Sequence, residues 1–152
     1  MSGTIEEIYI APQGGAPMQR VEQVQAEADC GLCGDRYMQR TGYWTGIDEC
    51  QVTLIDKESI DWIRETTDIQ VANGEHRRNI ITQGIRLEEL QGRRFAVGEA
   101  VLEYDRPRPP CSYIQGLTQK GMTRALGGTR GGICARVVQS GVIRVKDTVQ
   151  VL

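Results

Sequence analysis

The sequence predicts a mainly β protein, a closed or nearly closed β-barrel with a few short helices. Short segments in which apolar and polar residues alternate recur along the chain, and glycine-rich turns separate them. Only two stretches have the apolar spacing of a helix. Many short strands joined by glycine turns are typical of barrels and related all-β folds, and this pattern defines the fold class.

The size of the chain, 152 residues, fits one domain with its own hydrophobic core, so we expect a single domain over residues 1–152. Hydrophobic residues make up 39% and charged residues 25%, which is ordinary for a folded soluble protein. No apolar run approaches the roughly 20 residues that a membrane helix needs. The N-terminal sequence MSGTIEEIYI lacks the features of a secretory signal. We therefore expect a cytoplasmic protein that does not bind a membrane.

The net charge of −2 excludes a strongly basic surface, so we expect no nucleic-acid partner. Fifteen of the 18 basic residues are arginine. The planar guanidinium pairs bidentately with phosphate and carboxylate groups, which lysine cannot reproduce. The excess reflects either arginine-rich codon usage or an anion-binding site, and only the placement of the arginines decides between the two.

The N-terminal half contains predicted strands at residues 6–10 and 21–28. Residues 50–54 alternate between apolar and polar side chains, which is the period of a half-buried strand. Asp56 is a suitable N-cap for a helix, and the helical spacing fades near Ile69. The pattern therefore predicts a strand followed directly by a helix in the middle of the chain.

The C-terminal half begins with residues 95–97 and 101–104, which predict two strands or one bent strand around Gly98. The segment DRPRPP, residues 105–110, is neither helix nor central strand, because three prolines remove backbone donors and fix φ. Two short turns then separate three apolar segments, and this arrangement predicts a β-meander over residues 133–138, 142–145 and 148–152.

The chain has five cysteines, which are Cys30, Cys33, Cys50, Cys111 and Cys134. In a reducing compartment we expect thiols and no disulfide framework. The segment CGLC, residues 30–33, is either half of a zinc site or a redox pair, and a second pair at matching spacing is missing. A zinc-stabilised β-domain that uses Cys30 and Cys33 is one alternative interpretation.

Cys111 is the candidate catalytic residue. It follows the rigid DRPRPP segment and precedes a helix predicted to begin near Ser112. The helix N-terminus and the nearby Arg106 and Arg108 favour the thiolate, which is the form that attacks sulfur or binds a metal. We therefore expect Cys111 to be the most reactive thiol, whereas Cys134 lies on a predicted strand with neither feature. The alternative is an inert buried cysteine.

Two glycine-bearing loops carry candidate ligand residues. The GEHRRN loop, residues 74–79, places adjacent arginines and backbone amides where an anion could bind. The GGTRGG loop, residues 127–132, places Arg130 among four glycines that permit close backbone approach. The alternative for the GEHRRN loop is a solvated turn. His76 lies beside both arginines of its loop, which disfavours an easily protonated base.

In order and spacing, these segments resemble the MOSC family, the domain named after the C-terminal part of molybdenum-cofactor sulfurases. The segment PPCSYI carries the cysteine that is the family's signature, Cys111. The matching segments extend across most of the chain and are GLCGDRY (31–37), GEHRRNIITQGI (74–85), GRRFAVGEAVLE (92–103), PPCSYI (109–114) and RGGICARVVQSGVIRVKDTVQV (130–151).

The resemblance implies a barrel of the pyruvate-kinase-barrel type, in which Cys111 binds the molybdenum of the molybdenum cofactor or carries sulfur as a persulfide. A pyridoxal-phosphate-dependent cysteine desulfurase would donate that sulfur. An enzymatic member would reduce N-hydroxylated compounds with electrons from a redox partner, whereas the alternative is a non-catalytic binding or scaffold barrel. The residues expected to hold the cofactor are Gly74, Glu75, Arg77, Arg78, Asn79 and Arg130.

Overall fold

The computed structural model describes residues 2–43, 46, 49–108, 114 and 117–152. The strands are β1 Ser2–Ile10, β2 Gln19–Val21, β3 Gln23–Glu27, β4 Gly31–Leu32, β5 Val52–Asp56, β6 Ile80–Gln83, β7 Arg94–Val97, β8 Ala100–Pro107, β9 Ile133–Gln139, β10 Gly141–Arg144 and β11 Thr148–Val151. The α-helices are α1 Arg36–Gln39, α2 Lys57–Thr66 and α3 Met122–Ala125, and two 3-10 helices span Leu87–Leu90 and Gly128–Gly131.

Within this part of the chain, seven strands close into a barrel. They follow the order β1-β11-β7-β8-β9-β5-β6, and β6 pairs again with β1. The β5–β6 pair is parallel and the other pairs of the barrel are antiparallel. Strand β2 extends the sheet beside β1, and β10, β3 and β4 form a small second sheet. The predicted closed β-barrel with a few short helices is confirmed.

Two apolar clusters cover the two faces of the barrel wall. Inward-facing side chains from all sides of the barrel fill its interior, and Phe95, Leu54 and Ile80 are among the fully buried ones. A second cluster lies between the outer wall and helices α2 and α3, where Ile55 and Ile81 pack beside the helical residues. Burial of one such side chain stabilises the fold by about 1.5–3 kcal/mol. The helices are therefore held on one side of the barrel.

Strand β5 is buried on both faces, so the prediction of a half-buried strand is wrong. Val52 and Leu54 face the barrel interior, while Thr53 and Ile55 face outward and are also fully buried. Alternation in sequence reflects the outward position of Thr53, but the second apolar cluster and the neighbouring loops cover that face. The apolar Ile55 on the outer face is the one residue of the strand that indicates burial on both sides.

Helix α2 begins where the sequence predicts. The Asp56 carboxylate accepts a hydrogen bond from the Ser59 backbone amide at 2.9 Å, as an N-cap should. The helix ends at Thr66, before the predicted limit near Ile69, because the backbone of Thr67 is extended, with φ −139° and ψ 169°. The Thr67 hydroxyl donates to the Ile63 carbonyl oxygen at this end of the helix. With ten residues α2 is the longest helix described, and no described helix is long and apolar enough to cross a membrane.

The three C-terminal strands have the predicted bounds to within a residue or two, but the predicted meander is wrong. Strand β10 pairs with β3, and β11 pairs with β7 and β1. Both edges of β9 are already occupied by β8 and β5, so the next strand cannot pair with it. At Gly141 an added Cβ would lie 2.4 Å from the Glu99 carbonyl carbon, which shows how closely the chain crosses the β7–β8 turn.

The remaining predicted strands are observed with small changes. Residues 6–10 lie within β1, residues 21–28 divide between β2 and β3, and the segment around Gly98 forms the two strands β7 and β8. Strand β8 continues into the proline-rich segment as far as Pro107. Beyond Tyr104 it pairs with β9 alone, which agrees with the exclusion of a central strand there.

Candidate functional site

Cys111 and the start of its predicted helix at Ser112 lie outside the described residues. Their roles and the expected reactivity of Cys111 therefore stay predictions. The structure describes the segment that precedes them up to Arg108 and the two loops that carry the other predicted ligands. These three parts together form the candidate site.

The floor of the site is the outer face of the barrel wall formed by β5, β9 and β8. The strand register places Cys134 opposite Thr53 on one side and opposite Arg106 on the other. The neighbouring positions of β9, Ile133 and Ala135, face the barrel core, so Cys134 points outward. It is nevertheless fully buried, because loops cover this part of the wall.

The GEHRRN loop is a tight turn that uses its own backbone amides. The Arg77 amide donates to the Gly74 carbonyl oxygen at 3.0 Å, and the Arg78 amide donates to His76 Nδ1 at 2.9 Å. Gly74 and Arg77 both have positive φ, at 89° and 63°. The amides of Arg77 and Arg78 are therefore occupied by local hydrogen bonds and are not available to an anion.

The two arginines of this loop are buried, which excludes the alternative of a solvated turn. Arg77 is 8% exposed and Arg78 is 5% exposed. The Arg77 guanidinium donates to the Ala16 carbonyl oxygen, and the Arg77 carbonyl oxygen accepts a hydrogen bond from Arg36 at 3.1 Å. Arg77 is therefore built into the packing between the loop and the N-terminal segment.

Arg78 joins the three parts of the candidate site. Its Nε donates to the Gly131 carbonyl oxygen at 2.7 Å, and an Nη donates to the Arg108 carbonyl oxygen at 3.2 Å. Burial, with a further contribution from the nearby Arg108 and Arg36, lowers the pKa of Arg78 to about 10. Among the described residues, no carboxylate forms a salt bridge with Arg78. In the described part of the chain its guanidinium therefore donates to backbone carbonyl oxygens and pairs with no carboxylate.

Asn79 is the centre of a buried hydrogen-bond network. Its Oδ1 accepts hydrogen bonds from the backbone amide and the hydroxyl of Thr53, each at 3.0 Å. Its Nδ2 donates to the Tyr9 carbonyl oxygen and to Asp35 Oδ1, at 3.0 and 3.2 Å. These contacts tie the loop to β1 and β5. Both polar atoms of the Asn79 side chain therefore have hydrogen-bond partners within the protein.

Asp35 and Arg36 belong to the same network and are absent from the predicted site. Asp35 Oδ1 accepts hydrogen bonds from the Ala11 amide and from Arg36, and both charged side chains are buried. They belong to the segment GLCGDRY (31–37), which only the family resemblance connects with the site. A buried Asp–Arg pair next to Asn79 cannot be inferred from spacing, because 44 residues separate Asp35 from Asn79.

Arg130 is directed toward helix α2. Its guanidinium lies 4.3 Å from the centre of the Trp62 ring, and its Nε donates to the Ala125 carbonyl oxygen at 3.0 Å. The next residue, Gly131, contacts Arg78 through its backbone. The two loops thus meet, while the guanidinium of Arg130 packs against α2. The expected role of Arg130 in holding the cofactor stays a prediction.

Gly132 confirms the predicted close backbone approach of the GGTRGG loop. A Cβ at this position would lie 2.0 Å from the Leu54 carbonyl oxygen, and φ is 84°. The Gly132 carbonyl oxygen accepts a hydrogen bond from the Arg108 amide at 2.9 Å. Only glycine fits between β5 and the segment that leads to Cys111.

His76 is held neutral, as the sequence predicts. It is fully buried, and burial together with Arg78 and Arg77 lowers its pKa to about 3. Because Nδ1 accepts the hydrogen bond from the Arg78 amide, the proton of the neutral ring lies on Nε2. That Nε2 is buried and, like Glu75 Oε2, has no hydrogen-bond partner among the described residues.

Cys134 has the positive surroundings that the sequence did not predict for it. The strand register brings it opposite Arg106, and Arg108 and Arg78 are also near. A hydrogen bond from Cys50 and these arginines lower the pKa of the Cys134 thiol, although burial opposes the shift. The expectation that Cys134 lacks nearby arginines is wrong, since its cationic neighbours come from other strands and loops.

The C-x-x-C pair lies in the second sheet. Cys30 is exposed and Cys33 is half-buried, on either side of β4. Burial raises the pKa of Cys33, and the neighbouring Glu27 and Cys30 raise it further. Within the described residues, no group of three or more His, Cys, Asp or Glu side chains is placed to hold a metal ion. The zinc alternative has no support in this part of the chain.

Solved structures with the same fold share little sequence identity with this chain. The YuaD protein from Bacillus subtilis matches with a TM-score of 0.78 at 17% identity, over 99% of this chain and 96% of that chain. YiiM from Geobacillus stearothermophilus matches with a TM-score of 0.75 at 18% identity, over 99% of this chain and 75% of that chain. YiiM from Escherichia coli matches with a TM-score of 0.71 at 18% identity, over 100% of this chain and 70% of that chain.

A comparison with curated protein sequences finds no match. The MOSC domain model, in contrast, matches residues 41–150, which include the GEHRRN loop, the proline-rich segment and the GGTRGG loop. The structural likenesses extend over nearly the whole chain. The chain belongs to the MOSC domain family.

Proposed function

We propose that this MOSC domain binds an anionic, phosphate-bearing cofactor of the molybdenum-cofactor type and uses Cys111 as a metal ligand or as a persulfide carrier. The observation that carries the proposal is Arg78, a buried guanidinium that joins both glycine-bearing loops to the segment before Cys111. The family membership agrees with this assignment but does not establish it.

The charge around Arg78 supports an anionic ligand. Asp35 pairs with Arg36 at 3.0 Å, so that nearby carboxylate already has a cationic partner. Arg108 adds further positive charge and lowers the pKa of Arg78. Burial of an unpaired ion costs several kcal/mol, and a phosphate group that accepted two parallel N–H bonds would offset this cost. The guanidinium therefore fits a phosphate-bearing cofactor.

The thiol chemistry also fits. Cys111 would supply the soft sulfur ligand that molybdenum accepts, and Arg78 would hold the phosphate. When bound, the cofactor supplies two-electron redox chemistry at the metal. The cofactor contacts proposed for the other residues rest on the family resemblance, and those residues are Gly74, Glu75, Arg77, Asn79 and Arg130.

The two forms of the proposal need different partners. As a sulfur carrier, the domain would receive sulfur from a pyridoxal-phosphate-dependent cysteine desulfurase, and Cys111 would hold it as a persulfide. As an oxidoreductase, it would reduce N-hydroxylated compounds with electrons from a redox partner. The first form carries persulfide sulfur and the second carries the molybdenum cofactor. Measuring which of the two the protein contains therefore distinguishes the two forms.

The test is the composition of protein purified from a host that synthesises the molybdenum cofactor and from a host that does not. Elemental analysis and the fluorescence of oxidised pterin are measured on both samples. Molybdenum and pterin present together, in the first sample only, would support the cofactor form. Thiocyanate release by cyanide, after incubation with a cysteine desulfurase and cysteine, would support the persulfide form. A protein that carries neither cargo would contradict the proposal.

Two variants locate the cargo. Cys111→Ser removes the soft sulfur at nearly constant size, and we expect loss of molybdenum or persulfide loading. Arg78→Lys keeps a positive charge but cannot reproduce the planar fork, so we expect weaker cofactor retention. The matched control is Arg94→Lys, because Arg94 is an exposed arginine of β7 that pairs with Glu103. Equal loading of Arg78→Lys and Arg94→Lys, normalised to folded protein, would contradict the role of Arg78.

A further inference from the structure

Asp35 and Arg36 form a buried ion pair at the start of helix α1. Asp35 is fully buried and Arg36 is 5% exposed, and Arg36 Nη1 lies 3.0 Å from Asp35 Oδ1. Asp35 also caps the helix, since its Oδ2 accepts a hydrogen bond from the Tyr37 amide at 3.2 Å. A buried ion pair often adds no net stability compared with apolar side chains of similar volume, so the contacts that it makes are the better guide to its role.

The pair contacts the residue on each side of Arg78. Arg36 Nη2 donates to the carbonyl oxygen of Arg77 at 3.1 Å. Asp35 Oδ1 accepts a hydrogen bond from Asn79 Nδ2 at 3.2 Å. A single ion pair therefore holds the loop on both sides of the residue whose guanidinium joins the three parts of the candidate site.

The peptide group that precedes Arg78 is fixed at both of its polar atoms. Its carbonyl oxygen accepts the hydrogen bond from Arg36, and its N–H donates to His76 Nδ1 at 2.9 Å. After Arg78, the Asn79 amide donates to the Thr53 hydroxyl at 3.0 Å. Because both flanking peptide groups are held, the direction in which the Arg78 side chain leaves the backbone is set.

The ion pair is itself anchored outside this loop. Asp35 Oδ1 accepts a hydrogen bond from the Ala11 amide, directly after β1, at 3.1 Å. The Arg36 guanidinium lies 4.3 Å from the centre of the Tyr37 ring, and its Nη1 lies 3.7 Å from Met18 Sδ. The pair is thus supported by the end of β1 and by α1, and from there it reaches the loop.

We propose that the Asp35–Arg36 pair is a positioning element, which orients the Arg78 guanidinium before an anion binds. The pair acts through the two neighbours of Arg78, while Arg78 itself would contact the phosphate group of the ligand, so the inference rests on the proposed function. A guanidinium that is already oriented loses less conformational freedom when the anion binds, and the affinity is higher for that reason.

The first test follows the Nε–H proton of Arg78 by nuclear magnetic resonance in the ligand-free protein, well below its melting temperature. This Nε donates to the Gly131 carbonyl oxygen at 2.7 Å, so we expect slow exchange of its proton with water in the wild type. Arg78→Lys identifies the signal by its loss. Arg36→Lys keeps a charge beside Asp35 but lacks the fork that reaches two acceptors, so we expect exchange to become faster by about tenfold or more.

The second test is the affinity for inorganic phosphate, measured by isothermal titration calorimetry on the same proteins. We expect the dissociation constant to rise roughly tenfold in Arg36→Lys, and to rise less in Asp35→Asn, which keeps an oxygen acceptor. Ile143→Val is the control, because it removes a methyl group from a buried residue of β10 in the second sheet. This control should lower stability and leave both the Arg78 signal and the phosphate affinity unchanged.

A purely structural ion pair would behave like the control. Unchanged proton exchange and unchanged phosphate affinity in both Arg36→Lys and Asp35→Asn would therefore overturn the proposal, even if both variants melt at a lower temperature. Fast exchange of the Arg78 proton in the wild type would also overturn it, and this measurement needs no variant of the pair to fold.

The positioning role and the proposed function can fail separately. If Arg36→Lys releases the Arg78 proton but the wild type binds no phosphate, the orientation of Arg78 is supported and its anion-binding role is contradicted. If the wild type binds phosphate and the variants of the pair bind it equally well with an unchanged Arg78 signal, the positioning role is contradicted and the anion-binding role stands.

Discussion

The Nε of Arg78 donates a hydrogen bond to the carbonyl oxygen of Gly131 across a separation of 53 residues in sequence. Through this contact the GEHRRN loop and the GGTRGG loop meet on the outer wall of the barrel. A second bond from the same guanidinium reaches the Arg108 carbonyl oxygen, on the segment that leads to Cys111. One buried side chain therefore defines where the predicted parts of the site come together.

Because Arg78 is a buried cation, we expect inorganic phosphate to bind and to stabilise the domain. At a phosphate concentration ten times its dissociation constant, the gain is about 1.4 kcal/mol, which corresponds to a melting temperature higher by roughly 3–5 °C. Arg78→Met should remove this increase. Thermal unfolding measured against chloride at equal ionic strength is the check, and Arg94→Met is the control. An equal increase in both variants would place the phosphate elsewhere.

His76 should make the domain less stable at mildly acidic pH. Its pKa is about 3 in the folded protein, against 6.5 when unperturbed, so below pH 6.5 the unfolded state binds a proton that the folded state does not. Stability therefore falls as pH falls, by about 2 kcal/mol between pH 6.5 and about pH 5. Urea unfolding of wild type and His76→Asn across this range checks the prediction.

His76→Asn is chosen because the asparagine oxygen can replace Nδ1 as the acceptor for the Arg78 amide, while the side chain does not titrate. The variant should have a much smaller pH dependence above about pH 5, where few carboxylates are protonated. If its stability falls with pH as steeply as that of the wild type, the acid sensitivity comes from another group.

Gly132→Ala should be severely destabilising. The added Cβ would lie 2.0 Å from the Leu54 carbonyl oxygen, and backbone in β5 would have to move. Gly128→Ala is the matched control, since Gly128 also has positive φ, at 65°, but its Cβ would meet nothing within 4 Å. In chemical denaturation we expect the free energy of unfolding to fall by about 1 kcal/mol in Gly128→Ala and by more than about 4 kcal/mol in Gly132→Ala. Similar losses would mean that only the backbone conformation matters.

Asp56 should stabilise helix α2 as an N-cap. Asp56→Ala removes the acceptor for the Ser59 amide and should cost about 1 kcal/mol. Asp56→Asn keeps an oxygen acceptor and should cost clearly less, which separates the cap from the charge. Urea unfolding of the two variants measures the difference, and an equal loss in both would assign the effect to the carboxylate charge.

The features that the sequence determined are local ones. The helix start at Asp56 and the bounds of the C-terminal strands depend on residues close in sequence. For His76 the two adjacent arginines indicate the direction of the pKa shift, while its largest cause, burial, comes from the fold. A capping hydrogen bond joins residues that are only a few positions apart, and so does the alternation of side chains along a strand. Both can therefore be recognised in the sequence. The glycines of the GGTRGG loop likewise indicated a close approach, which Gly132 makes with β5.

Tertiary structure alone decided which strands pair and which charges meet. Strand β10 leaves β9 because both edges of β9 are occupied, and the outer face of β5 is buried because helices and loops cover it. Cys134 acquires arginine neighbours from β8 and from the GEHRRN loop. Such contacts join residues that are far apart in sequence. Their electrostatic effects depend on distance in space and on burial, so they cannot be predicted from a local sequence pattern.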